Sequence, residues 1–101
     1  MRHRHAPRRL PAKQGHARML QRNLLTSLLL YEQIRTTKKR ALVTAPLVDR
    51  LVALAKVKKP HIAIRAINRV VTDANASRKI MEVLVKRYSG RASGLTRMVP
   101  V

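Results

Sequence analysis

Thr37-Lys38-Lys39-Arg40 sets a hydroxyl directly before three cations, and Arg2, His3, Arg4, Arg8, Arg9 and Lys13 crowd the start of the chain. Guanidinium and ammonium groups at this density do one kind of chemistry well, which is to hold phosphate oxygens. The Thr37 motif adds a reason of its own. A helix start exposes N–H groups with partial positive charge and normally attracts Asp or Glu. Cations there are unfavourable until an anion arrives, and then the same N–H groups help to bind it. The pattern reads as a phosphate site at the first turn of a helix capped by Thr37.

Other chemistries fit poorly. His3 and His5, with distant His16, have the residue type of metal ligands, but they sit among cations without a carboxylate or thiolate nearby. The chain has no cysteine, so a disulfide framework and a thiolate site are both excluded. Its four acids, Glu32, Asp49, Asp73 and Glu82, are too scattered to form a carboxylate pair or to orient a nucleophile and its base. No glycine loop of the nucleotide-binding kinds is present. We therefore expect neither an enzyme nor a metal or cofactor site, and no small-molecule substrate. Glu32 and Asp49 are expected to organise neighbouring arginines.

The elements that position these residues follow from periodicity. Residues 1–14 form a basic arm punctuated by Pro7 and Pro11, with Met1 and Leu10 as its only large apolar groups. It is expected to be extended and to order along phosphates. Residues 15–101 make one small domain. From Gly15 to Tyr31, the positions Ala17, Leu20, Leu24, Leu28 and Tyr31 repeat at three and four and predict a helix face, widened by Leu25 and Leu29. Arg18 and Arg22 lie away from that stripe, and Tyr31 is read as core. Ile34, Thr36 and Thr37 predict a short strand over residues 33–37, which also carries Arg35.

A second helix runs from Lys38 to Lys56, with a kink or restart expected at Pro46. Pro60 opens a third helix through Val71, with Ile64, Ile67 and Val71 on one face. Thr72-Asp73 caps a fourth, over residues 74–88, with Ile80, Val83 and Leu84 as core and Gly90 as the stop. Residues 95–99 predict a last strand edged by Arg97. The fold class expected is α+β in two layers: about four helices, a small sheet and the extended arm.

The charge balance bounds the partner. Twenty-three Lys and Arg against four acids give a formal +19 over 101 residues, a self-repulsion that a covering polyanion relieves. The cations run along the whole chain, so the expected partner is a nucleic acid touching most of the molecule. No apolar run suits a membrane span, and no membrane partner is expected. A DNA-compacting architectural protein would share this charge and is the alternative.

The ordered residues resemble a family. Met1-Arg2-His3-Arg4, Arg8-x-Leu10, His16, Arg22-Asn23-Leu24, Glu32-x-Ile34-x-Thr36-Thr37, Leu54-Ala55-Lys56 and Arg91-Ala92-Ser93-Gly94-Leu95-Thr96-Arg97 are similar to the bacterial-type large-subunit ribosomal protein L seventeen family. The resemblance implies a two-layer α+β fold and a structural ribosomal constituent. It would cross-brace large-subunit ribosomal RNA near the nascent-chain exit, beside neighbouring large-subunit proteins. It also implies a cytoplasmic, ribosome-bound location, with an organellar ribosome as the other option. RNA contacts are implied for Arg2, His3, Arg4, Arg8, His16, Arg22, Thr36, Thr37, Arg40, Arg91, Thr96 and Arg97. The residues themselves add Arg9, Lys13, Arg18, Arg35, Lys38 and Lys39. Pro7, Tyr31, Leu42 and Pro46 depart from the family pattern, which also usually continues past residue 101 into another strand.

Overall fold

The computed structural model describes residue 10 and residues 13–101, and every regular element among them is helical. The helices are α1 (Gln14–Tyr31), α2 (Lys38–Val57), α3 (Pro60–Asn68) and α4 (Ala74–Lys79). α4 continues through a π-helical turn (Ile80–Leu84) into α5 (Val85–Arg87). The expected α+β sheet is thus corrected: residues 33–37 and 95–101 form neither helix nor strand. Their β-branched side chains favour extended backbone, yet a strand also needs a neighbour for its N–H and C=O groups. Here the two segments line an open cleft of about 720 Å³, and no backbone hydrogen bond joins them among the described residues.

Local chemistry explains the helix starts. Thr37 caps α2, its hydroxyl accepting from the Arg40 N–H at 3.4 Å. Pro60 opens α3 where its missing N–H costs nothing. Asp73 caps α4 by accepting from the Asn75 N–H at 2.7 Å. Pro46 neither restarts nor ends α2, which runs through it. Because Pro46 is exposed, the carbonyl of Leu42 that loses its partner lies on the solvent side of the helix.

The core joins Leu25 and Leu29 of α1, Val48, Leu51, Val52 and Ala55 of α2, Ile67 of α3, Val71, and Ala76, Ile80 and Leu84 of the α4–α5 rod. The face of α1 is therefore turned by one residue from the expected one: the ladder through Leu25 and Leu29 is buried, and Tyr31 is 71% exposed. Thr26 fixes this register. Its buried hydroxyl donates to the Arg22 carbonyl at 2.7 Å and accepts the Thr72 N–H at 3.1 Å. Ile64 and Val83, both expected in the core, are partly exposed; Ala63 and Ala76 take the buried positions on those helices. Gly90 is not left-handed, whereas Gly94 is, at φ +67°. Leu10 is buried although it belongs to the predicted arm, of which residues 1–9, 11 and 12 lie outside the described residues.

Ile67 has no exposed surface and belongs to the core on α3, which packs against α2 and α4. Ile67→Ala should lower unfolding free energy by about 2–5 kcal/mol, the cost of a buried cavity. A urea titration reads it; a loss of only a few tenths of a kcal/mol would place the core elsewhere.

Candidate nucleic-acid interface

Three of the four acids are spent on internal architecture, and this decides which cations remain available. Glu32 ends α1 in a left-handed conformation at φ 63°, its N–H donating to the Leu28 carbonyl at 2.7 Å. Such a conformation is disfavoured for a non-glycine residue, and the side chain brings compensation. Its carboxylate accepts from Lys79 at 2.9 Å and from Arg87. Lys79 also donates to the Leu30 carbonyl at 2.9 Å, so a cation closes the negative end of α1. On an ideal helix, Lys79 and Arg87 would be offset by about 80°. The intervening π turn takes up an extra residue and brings both to one side.

Asp49, half-buried on α2, accepts from the backbone N–H groups of Gly94 (3.2 Å) and Leu95 (3.1 Å). It organises a backbone turn, where the sequence suggested an arginine. Lys56, one α2 stretch further on, donates to the Arg91 carbonyl. Beyond Leu95, Thr96, Arg97 and the following residues line the cleft with Lys38, Ala41 and Ala45. The final segment therefore runs antiparallel along α2, from Lys56 past Asp49 towards the first turn. Neither anchor was legible in sequence, since each partner lies 35 or more positions away.

The expected site residues divide between the two ends of α2, a helix of 20 residues and hence about 30 Å long. At its first turn Lys38, Lys39 and Arg40 are exposed, and Arg35, Thr36, Thr96 and Arg97 line the adjoining cleft. The Thr37 hydroxyl is already engaged as the cap. Tyr31, missed as a surface residue, ends α1 at the same end. At the other end Arg91 is exposed beside Lys56. Lys13, His16 and Arg18 are exposed on the amino-terminal half of α1. Arg22 departs from expectation: it is half-buried, its Nε donating to the Val70 carbonyl at 3.0 Å, so it braces α1 against the end of α3. Arg2, His3, Arg4, Arg8 and Arg9 lie outside the described residues.

Among the described residues, the arrangement offers two groups of cations without ion pairs and few aromatic side chains on which a base could stack. Tyr88 is half-buried against the core, with the Arg87 guanidinium 5.9 Å above its ring. Among the described residues, no cluster of His, Cys, Asp or Glu could hold a metal ion, and no helix is long and apolar enough to cross a membrane.

Comparison with known proteins gives a consistent set. The Ribosomal protein L17 family model matches residues 20–101. Large ribosomal subunit protein bL17 of Syntrophotalea carbinolica is 37% identical over 99 residues, covering 98% of this chain and 63% of that protein. Its counterpart in Hyphomonas neptunium is 41% identical, over 98% of this chain and 70% of the relative. That of Chloroflexus aggregans is 34% identical, over 97% and 84%. The chain thus spans just under two thirds of the length of the Syntrophotalea protein.

Two measurements check the internal acids. The Glu32 carboxyl is held below its ordinary 4.5 by the hydrogen bonds from Lys79 and then Arg87. Its pairing therefore contributes stability above pH 4.5 that is lost as pH falls through the lower folded value. Glu32→Gln should flatten this acid limb of a plot of thermal midpoint against pH; parallel curves would remove Glu32 from the account. Asp49→Asn should raise amide hydrogen exchange at Gly94 and Leu95 by about tenfold or more, the equivalent of one charge-assisted hydrogen bond. Unchanged protection would mean that the segment is held by something else.

Proposed function

The chain belongs to the ribosomal protein L17 family, and from that premise we propose that it is a structural, non-catalytic constituent of the large ribosomal subunit. In this reading it binds large-subunit ribosomal RNA near the nascent-chain exit, beside neighbouring large-subunit proteins, on a cytoplasmic ribosome. The observation that carries it is the surplus of exposed cations left at both ends of α2 after the acids have been used internally.

The mechanism is cross-bracing. Separate groups of cations neutralise phosphates on separate RNA segments, and the rod between them sets their distance. At physiological salt, screening acts over about 8 Å, well short of the length of α2, so the two ends act independently. Contacts to backbone dominate, which gives recognition of RNA shape more than sequence. Exposed Tyr31 adds one surface on which an unpaired base can stack. The arm of residues 1–14 supplies further phosphate contacts through Arg2, Arg4, Arg8, Arg9 and Lys13.

Replacing Lys38, Lys39 and Arg40 with glutamine should weaken binding to large-subunit RNA and leave the free fold intact or slightly more stable. Log affinity of the parent chain should fall by about 0.7–0.9 per log unit of salt for each phosphate contacted, and the triple variant should have a shallower slope. A parent slope equivalent to one contact, or equal preference for duplex DNA, would overturn the reading.

A further inference from the structure

We propose that the outer face of α3 is a second backbone-binding track for RNA, continuous with the cations of α1; this rests on the ribosomal reading above. α3 buries Ala63 and Ile67 against the core. The opposite face presents His61, Arg65 and Arg69, each four residues after the last and all exposed. On a helix this spacing makes a single stripe, with successive side chains about 6 Å apart along the axis. Exposed Lys58 and Lys59 lead into it from α2, and half-exposed Ile62 and Ile64 border it on either side.

At its far end the stripe meets α1. The carbonyl of Val70, the residue after Arg69, accepts the Arg22 Nε at 3.0 Å. Arg18, one turn before Arg22 on the same face of α1, is exposed. Three of the four acids are engaged elsewhere, and the fourth, Glu82, lies on the π turn and forms no ion pair with α3 among the described residues. Glu32 binds Lys79 and Arg87, Asp49 binds the Gly94–Leu95 backbone and Asp73 caps α4. Among the described residues, no ion pair involves α3.

An extended array of cations without acids, one helical turn apart, suits a run of phosphates on one strand better than a single anion. It also suits RNA better than an acidic protein surface, because phosphates come at regular intervals and carboxylates do not. The face lies beyond the carboxyl end of α2, so its RNA segment differs from the one held at Lys38–Arg40. It enlarges the anchor at the carboxyl end of α2 from a few cations into a track.

The test compares three full-length variants on large-subunit RNA across a salt series. Arg65→Gln with Arg69→Gln should lower the salt slope by about 1.4–1.8, the loss of two phosphate contacts. Arg65→Lys with Arg69→Lys should keep most of it, and circular dichroism should show native helix content in both. RNA footprints should differ between the Arg65/Arg69 glutamine pair and the Lys38/Lys39/Arg40 glutamine triple. If the triple weakens binding and the α3 pair leaves slope and footprint unchanged, this face is a solvated surface and the inference fails alone. If the parent chain binds no RNA in a salt-dependent way, the ribosomal reading fails with it.

Discussion

Four carboxylates must organise a chain that carries twenty-three Lys and Arg, and that scarcity governs the architecture. Each acid the fold uses does more than pair with one charge. Glu32 accepts from two cations while closing a helix in a left-handed turn. Asp49 holds two backbone amides, and Asp73 starts a helix. None of these contacts relieves the bulk of the positive charge. They fasten elements together and leave the repulsion to be met from outside. Stability and binding are thereby coupled: the same cations that strain the free molecule are the ones a polyanion would cover.

The core beneath is modest in its materials. It is built from Leu, Val, Ile and Ala, without a single Phe or Trp. Side chains of this size leave the helices close together, and buried hydroxyls join them at the seams. Thr26 links α1 to the start of the α4 segment, and the Ser77 hydroxyl donates to Asn68 across the α3–α4 junction at 2.7 Å. Arg22 adds a further brace. These polar contacts fix register where the aliphatic ladders are nearly interchangeable.

That near-equivalence also explains what the sequence could and could not reveal. Thr37, Pro60 and Asp73 announced their helices because a cap or a first-turn proline acts within a few residues. The Leu24–Leu28 and Leu25–Leu29 ladders have similar periodicity, and only Thr26 and Arg22, through partners more than forty positions away, decide between them. Residues 33–37 and 95–99 have the composition of strands, but pairing is a long-range property and the expected sheet does not form here. The cationic character of the candidate interface was plain from composition. The removal of Arg22 to a bracing role, the exposure of Tyr31 and the anchoring of the final segment were not, since each depends on tertiary neighbours.

The final segment has a mechanical consequence. Helix side chains hold it at Arg91, Gly94 and Leu95; among the described residues, hydrogen bonds from α2 to it stop there. The helices thus act as a ruler of set length, and residues 96–101 act as a strap fastened at one end. In the function proposed above, the spacing the ruler offers a template is set by the helices alone. The strap's path beyond Leu95 is not fixed by hydrogen bonds to α2 among the described residues, so the ruler's length does not depend on it.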